Sequence, residues 1–593
     1  MAILYRVGFE RASDPRLDVT GEFGAVAGPS VDLVLPSWVP GSYHILDYAK
    51  NLLALRATDA PGGAPLPVER VAKDRWRITT GSSPTLAVRY TVYAHGLITE
   101  GVDLSPEHLF LNPALSLPYV DGRVQEPYEV ELHLPAGWKA YAELPEVQRA
   151  PPRFRAKDYD ELVDSPIDCG TPVELGFHAA GVPHRVLLCG SGGNYEAHRL
   201  ETDLARIVEA TARLFGEIPL DRYTFFYHLT DEPDGGLEHA RSNSSVLHRL
   251  TFRPESSYQR FLDISSHEYF HLFNVKRILP ARLMPFDYTR EVYTRLLWEM
   301  EGTTDYYGLL LLRRAGLLTP ARYLEELAKL GRTYLNTPGR RARSLEEASF
   351  LAWIDLYQPH EDLSNRTVSY YLKGHLVSWA LDMEIRHRSE NRTSLDDVMR
   401  MLWREYGRPR RGLREGEVAE VAGRATGVDL TDLFARYVAG VDELDLAAGA
   451  RRAGLEFAAK RRTPEPGEDA EAGDLGIDYD PARGPVRITR VLDGGPGRRA
   501  GLLPGDEIVA IDRVRVPPAD FPKALARAPA GTNLTLSLFR RGFLMDVEVE
   551  TGPALAEKFA FTPVAAPTDL EKAIFVGWLE TPWEARKPTG ATD

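Results

Sequence analysis

The stretch Ser265-Ser266-His267-Glu268-Tyr269-Phe270-His271-Leu272-Phe273 decides the predicted fold and function of the chain. It is predicted to form a helix, and side chains four positions apart on a helix lie on the same face. His267 and His271 are therefore expected to direct both imidazoles at one metal ion, with the Glu268 carboxylate beside them. The alternative is an amphipathic helix whose two histidines are solvated.

The spacing H-E-x-x-H is the pattern of zinc peptidases, in which two imidazole nitrogens bind the metal and the glutamate accepts a proton from the attacking water. A catalytic zinc site needs a third protein ligand. The best candidate is Glu301, because Trp298-Glu299-Met300-Glu301-Gly302 lies in a largely apolar stretch that is predicted to be a buried helix. A charged side chain inside such a helix is rare unless it is paired or binds a metal.

Other carboxylates near Glu301 keep the ligand assignment open. Glu299 and Glu291 compete with Glu301 for the role of third ligand. Asp305 is predicted to lie one helical turn after Glu301 and to accept a hydrogen bond from the second ring nitrogen of a ligating histidine. Alternatively, Glu301 and Asp305 only balance the neighbouring arginines.

Two further segments flank these helices in a recognisable order. Asp234-Gly235-Gly236-Leu237-Glu238-His239 precedes them, and Ser369-Tyr370-Tyr371-Leu372-Lys373-Gly374 follows. Together with Trp38-Val39-Pro40-Gly41-Ser42-Tyr43, this set resembles the gluzincin aminopeptidases, and more closely the glycyl aminopeptidase family with a C-terminal PDZ domain, peptidase family M61. The resemblance covers essentially the whole chain, although the interval from His271 to Glu301 is longer than in the larger aminopeptidase family.

The resemblance implies a zinc-dependent enzyme that holds one zinc ion per chain. In this family pattern Glu268 would be the general base, and Tyr371 would hydrogen-bond the oxyanion, with Tyr370 as the second candidate. The side chains that would bind the zinc are His267, His271 and Glu301.

The resemblance also implies an aminopeptidase whose substrates are peptides with a free amino terminus. Glu238, with Gly235 and Gly236 beside it, would hold the α-ammonium group, so that one residue is removed at a time. Small first residues, glycine and alanine, would be preferred. The alternatives to an aminopeptidase are an inactive peptidase-like scaffold that binds protein C-termini through its PDZ domain, and a zinc endopeptidase.

Composition narrows the class of protein. The chain has 593 residues with 44% hydrophobic and 26% charged residues, which is typical of a globular protein with more than one domain. A net charge of −14 argues against a nucleic-acid partner. The sequence contains no run of about 18 apolar residues, so it indicates no membrane span. The two cysteines, Cys169 and Cys189, are expected to be buried thiols in a cytoplasmic protein.

The C-terminal part resembles a PDZ domain through the run Ala500-Gly501-Leu502-Leu503-Pro504-Gly505-Asp506-Glu507-Ile508. Backbone amides at Leu475, Gly476 and Ile477 are predicted to take the terminal carboxylate of a partner protein that binds as an added strand. The alternative is a PDZ domain that only packs within the chain.

The predicted fold class is multidomain α+β. An antiparallel β domain is expected at 1–165, followed by a thermolysin-like, mixed-to-helical zinc metallopeptidase domain at 166–455. A polar linker at 461–474, a PDZ domain at 470–555 and a partly packed tail at 556–593 complete the chain.

Overall fold

The computed structural model describes residues 3–24, 28–81, 83–459, 473–480, 484–556 and 558–586. Most of the predicted linker and the end of the predicted tail therefore lie outside the described residues. The fold is multidomain α+β, as predicted, with a β-rich N-terminal region, a helical middle region and a C-terminal PDZ domain. Two compact units make up the chain: Met1–Thr294 with Tyr307–Leu317 and Met399–Arg414, and Arg295–Tyr306 with Leu318–Val398 and Glu415–Asp593.

The N-terminal region consists of three sheets, and strands of the largest one show alternating burial. In the strand Ile3–Gly8, the side chains of Ile3, Tyr5 and Val7 are at most 1% exposed, whereas those between them are partly exposed. Such alternation is what a sheet with one buried face requires. In spatial order the strands are Glu146–Arg149, Pro152–Ala156, Tyr128–His133, Ile3–Gly8, Arg16–Gly24, Thr85–Tyr93, Leu52–Thr58 and Pro65–Leu66; Lys139–Tyr141, Ile167–Gly170, His108–Leu111, Val102–Leu104 and His95–Gly96; and Tyr119–Val120, Ser30–Val34, Arg75–Thr79 and Val68–Ala72.

A fourth sheet carries Glu238 on an edge strand. Its central strand, Tyr223–Thr230, is buried along nearly its whole length and pairs in parallel with both neighbours. Glu238 ends the outermost strand, which runs antiparallel to its neighbour Ser242–His248. In spatial order the strands are Val173–Ala179, Val182–Cys189, Tyr223–Thr230, Ser242–His248 and Gly235–Glu238.

The helix that carries H-E-x-x-H ends earlier than the sequence predicts. It spans Glu255–Phe270, and His271 is its C-terminal cap. His271 keeps helical backbone angles, φ −58° and ψ −19°, and its N–H bonds to the His267 carbonyl at 3.2 Å. The two histidines are therefore still one helical turn apart.

The segment Trp298–Thr303 also differs from its prediction as an α-helix. Its turn is π-helical, and the α-helix Thr304–Arg314 follows directly. A π-helix closes its hydrogen bonds over five residues instead of four. The prediction that Asp305 lies one α-helical turn after Glu301 therefore does not hold for this turn. Isolated π turns occur often at functional sites.

Some of the remaining helices begin at a residue whose side chain caps the first turn. The Thr319 side chain accepts a hydrogen bond from the Arg322 N–H, and the Ser344 side chain accepts one from the Glu347 N–H.

No helix among the described residues combines the length and the apolar character that crossing a membrane requires. The other α-helices are Pro113–Ser116, Tyr159–Val163, Ala197–Phe215, Pro320–Leu335, Leu345–Phe350, Leu363–Arg366, Tyr370–Arg388, Leu395–Leu402, Glu417–Thr426, Thr431–Leu433, Leu446–Arg452, Pro496–Ala500, Phe521–Ala526 and Asp569–Leu579, with 3-10 turns at Tyr48–Lys50, Ala281–Leu283, Pro338–Arg341, Pro518–Asp520 and Trp583–Arg586 and further π turns at Trp403–Gly407 and Phe434–Val438.

The predicted tail packs in part, as the sequence indicates, and it returns to the helical region. Phe559–Pro563 pairs antiparallel with Leu455–Ala459, and the side chains of Phe575 and Trp578 are 0% exposed.

The PDZ sheet has the strand order Ile477–Asp480, Val486–Val491, Glu507–Ile511, Asn533–Arg540 and Phe543–Glu550, and Val514–Arg515 lies beside Glu507–Ile511. Gly473–Asp474 and Gly552–Pro553 form a separate two-stranded pair.

Candidate metal centre

His267 and His271 converge on one point. Their Nε2 atoms lie 2.9 Å apart, and their rings meet edge to face with centroids 4.5 Å apart. The His271 Nδ1 lies 2.8 Å from the Asn274 carbonyl oxygen. Because a carbonyl oxygen only accepts hydrogen bonds, Nδ1 carries the proton, which leaves the Nε2 lone pair of His271 available to a metal. Two imidazoles arranged in this way fit a zinc ion.

Two carboxylates lie beside this pair of histidines. Glu238, Glu268 and His271 each offer one ligand atom, and these three atoms lie within 4.8 Å of one another. The side chains of Glu238 and Glu268 are only 4% and 6% exposed. The Glu238 Oε1 atom is buried and makes no hydrogen bond to any described residue. A buried carboxylate oxygen of this kind is suited to a cationic group that the protein does not itself supply.

Two glycines leave the space that these carboxylates occupy. A Cβ on Gly236 would lie 2.3 Å from the Glu268 Oε1, and a Cβ on Gly41 would lie 2.8 Å from the Glu238 Oε1. Gly41 also has φ +108°, which side chains rarely tolerate. Gly236 thus leaves the room that the Glu268 carboxylate occupies, and the early segment that contains Gly41 lies directly on Glu238.

Replacing Gly236 with alanine is expected to lower kcat while leaving the metal content unchanged. The new methyl group must displace the Glu268 carboxylate, and a misplacement of about 1 Å can cost roughly 100-fold in rate. Gly96→Ala is the matched control, because a Cβ there meets nothing within 4 Å. Equal kcat values for the two variants would show that Glu268 does not need its present position.

Glu301 is buried in the second unit, 2% exposed, where two helices approach closely. A Cβ on Gly302 would lie 2.5 Å from the Cα of Gly374, so glycine is required where the two backbones cross. Burial first, and then the charge of Glu301, raise the pKa of Tyr371 well above its ordinary value. The second candidate, Tyr370, stacks on Tyr371 with ring centroids 4.8 Å apart.

The predicted ligands are divided between the two units: His267 and His271 belong to the first, and Glu301 belongs to the second. Within the first unit, two groups of side chains among the described residues could hold a metal ion. One is the Glu238 group described above. The sequence did not indicate the other, a fully buried set in which the His228 Nε2 lies 3.0 Å from the Asp168 Oδ2; its members are Asp168, Cys189 and His228.

Several other predicted residues have defined surroundings. Asp305 acts electrostatically on His375, although burial dominates and lowers the pKa of His375 to about 4. Both cysteines are buried free thiols, as expected, and burial raises the pKa of each. In the predicted carboxylate loop of the PDZ domain, the Gly476 N–H already donates to the Asp474 carboxylate.

A cavity of about 630 Å³ opens beside Glu238. Aromatic side chains form part of its wall, including Trp38, Tyr43 and Phe286, and Asp164 and Lys276 also line it. Trp38 belongs to the early segment Trp38-Val39-Pro40-Gly41-Ser42-Tyr43 that contributes to the family resemblance. The Trp38 ring is held by a 2.8 Å hydrogen bond from its Nε1 to the Asp287 carbonyl.

Family models match three parts of the chain. The Peptidase M61 N-terminal domain matches residues 4–171, the M61 glycyl aminopeptidase model matches residues 260–377, and a PDZ domain model matches residues 487–540. The second of these spans both the H-E-x-x-H helix and the Tyr371 segment. No curated protein matches the chain significantly.

Solved structures give the overall likeness. An aminopeptidase N family protein from Idiomarina loihiensis is 30% identical, with a TM-score of 0.90 over 98% of this chain and 100% of that chain. An M1 zinc metallopeptidase from Deinococcus radiodurans is 15% identical, with a TM-score of 0.48 over 75% of this chain and 95% of that chain. Legionella pneumophila aminopeptidase A is 12% identical, with a TM-score of 0.46 over 77% of this chain and 51% of that chain. The full-length likeness to the Idiomarina protein and the two matching M61 models agree, and the chain belongs to the M61 glycyl aminopeptidase family of metallopeptidases.

Proposed function

We propose that this protein is a zinc-dependent aminopeptidase that removes one N-terminal residue, preferably glycine or alanine, from peptides. The observation that carries the proposal is the closeness of Glu238, Glu268 and His271, whose ligand atoms lie within 4.8 Å of one another. An amine anchor, a base and a metal ligand are thus together in one small site.

The spacing favours an exopeptidase over an endopeptidase. Within one amino acid, the amino nitrogen and the carbonyl carbon are only ~2.5 Å apart, as bond lengths and the backbone angle require. If the Glu238 carboxylate holds the α-ammonium group, the carbonyl of that same residue falls next to Glu268 and His271. A second residue would not fit between the anchor and the base.

The metal ligands in this proposal are His267, His271 and Glu301, with one zinc ion per chain. Glu301 is supported by its burial and by the helix that carries it, which continues into Thr304–Arg314. In that helix a Cβ on Gly308 would lie 3.4 Å from the backbone of His267. When bound, zinc acts as a Lewis acid and makes water acidic enough to lose a proton near neutral pH.

The protein's own groups then move protons and hold charge. Glu268 accepts the proton of the attacking water and later passes it to the leaving amine, which is general acid–base catalysis. Tyr371 donates a hydrogen bond to the oxyanion of the substrate, since its raised pKa keeps the hydroxyl protonated. Asp305 remains the proposed acceptor for a ring N–H of a ligating histidine.

Replacing Glu238 with glutamine is expected to lower kcat/KM by ~30-fold or more on substrates with a free amine, because a buried charge partner contributes about 2–5 kcal/mol. The glutamine keeps the shape of the side chain but loses the charge that pairs with the ammonium group. Glu232→Gln, an exposed glutamate near the same edge strand, is the control. Equal kinetics for both variants would contradict the assigned role of Glu238.

Aminoacyl amides with first residues from glycine to phenylalanine, each free and N-acetylated, test the proposal as a whole. The panel includes large residues because the cavity beside Glu238 is much larger than the side chain of alanine. An aminopeptidase cleaves only the free forms. Cleavage of the N-acetylated forms as readily as the free forms would identify an endopeptidase, and zinc-free protein without turnover would support the scaffold alternative.

A further inference from the structure

We propose that Asp164, Lys276 and Arg277 form a clamp on Ala240 that holds the amine anchor Glu238 at a fixed distance from the metal ligand His271. This inference rests on the proposed function, because it concerns the register in which Glu238 presents the substrate. The three clamp residues are positioning residues and not catalytic ones.

Ala240 is held through both of its backbone polar groups. Its N–H donates to the Asp164 Oδ2 at 2.9 Å, and its carbonyl oxygen accepts from the Arg277 Nη1 at 3.2 Å. Ala240 lies two residues beyond Glu238, outside the last residue of the edge strand. Side chains from distant parts of the sequence thus supply the hydrogen bonds that a neighbouring strand would otherwise provide.

The other end of the clamp is tied to the end of the metal helix. The Arg277 Nη1 also donates to the Leu272 carbonyl at 2.7 Å, and the Lys276 backbone N–H donates to the His271 carbonyl at 3.1 Å. The Lys276 Nζ lies 2.5 Å from the Asp164 Oδ1. A closed set of contacts therefore connects the backbone just after Glu238 with the backbone at His271.

Charge keeps the clamp formed over a wide pH range. Burial opposes the ionisation of Asp164, but Lys276 and His239 outweigh it and lower the pKa of Asp164 to about 2. Because the folded pKa lies below the ordinary value of about 3.9, the carboxylate contributes stability above that value and loses it only as the pH falls towards about 2. Asp164 is consequently charged at pH values well above about 2.

The clamp gives the N-terminal region a part in the reaction. Asp164 follows the helix Tyr159–Val163, and it lines the same cavity as Glu238. If the clamp loosens, Glu238 still exists as a carboxylate but no longer holds an ammonium group at the right distance from the reacting carbonyl. The expected loss is therefore confined to discrimination in favour of the free amine.

A pair of inhibitors separates this effect from general damage. An amino acid hydroxamate binds through both its metal-chelating group and its α-amine, whereas the matching hydroxamate without the amine reports only on the metal site. Inhibition constants for both are measured on the full-length zinc enzyme and on Asp164→Asn, Arg277→Gln and the double variant. Asp160→Asn is the control, since Asp160 lines the same cavity but bonds to the Tyr288 hydroxyl at 2.6 Å instead of to Ala240.

The expected result is a loss of about 10-fold or more in the affinity ratio of the two inhibitors for each single variant. The amine-free inhibitor and the zinc content should change less than twofold. The double variant should be no worse than the single ones, because the contacts act as a unit. Equal weakening of both inhibitors, or no change in their ratio, would overturn the proposal; Arg277→Gln decides the matter if Asp164→Asn does not fold. A wild-type enzyme that binds both inhibitors equally would instead refute the amine anchor itself.

Discussion

Glu268→Gln is expected to lower kcat/KM by about 10²–10⁴-fold and to leave one zinc ion bound per chain. The variant keeps the size of the side chain that fills the space beside Gly236, but an amide cannot accept the proton of the attacking water. Because Glu268 is not among the proposed metal ligands, zinc binding should be unaffected. The measurements are steady-state kinetics on an aminoacyl amide and elemental analysis of the purified protein.

Glu255→Gln provides the control for this experiment. Glu255 opens the same helix, but it forms an ion pair with Arg199 at 2.9 Å on the protein surface. Exposed ion pairs of this kind contribute little to stability, so the variant should retain wild-type kinetics. If Glu268→Gln kept more than a tenth of the activity, or lost its zinc, Glu268 would not be the base.

Loss of the metal is the second large effect that we expect. His271→Ala should abolish stoichiometric zinc binding and activity together, since it removes one of the two proposed imidazole ligands. Glu301→Gln should weaken zinc binding by more than the roughly 10–100-fold that changes outside the ligand set cause. Titration of the metal-free proteins with zinc against a competing chelator measures both.

Glu299→Gln is a demanding control for Glu301. The two glutamates share one π-helical turn and are almost equally buried, 1% and 2% exposed. A change that merely disturbs the packing of this turn should therefore affect both variants. Loss of zinc by Glu299→Gln, with zinc retained by Glu301→Gln, would assign the third ligand to Glu299.

Local patterns allowed much of the candidate site to be predicted. The one-turn relation of His267 and His271 follows from helix geometry alone, and the structure keeps it even though the helix ends at Phe270. The H-E-x-x-H spacing likewise places Glu268 beside the two histidines. Each of these predictions depends on residues only a few positions apart.

Long-range contacts are what the sequence did not reveal. Asp164 meets Ala240 across 76 residues, and neither residue belongs to a motif that would have marked it. The crossing of Gly302 and Gly374 explains why two predicted helices each carry a glycine, but the sequence alone did not pair them. The π turn at Trp298–Thr303 has no residue pattern that separates it from an α-helix.

Anomalous scattering at the zinc absorption edge, measured on crystals of the zinc-loaded enzyme, tests the central claim most directly. We predict one peak per chain, at about 2.0–2.2 Å from the Nε2 atoms of His267 and His271 and from a carboxylate oxygen of Glu301. A peak at another place, such as the buried group around His228, or zinc-loaded crystals without a peak at His267 and His271, would contradict this account.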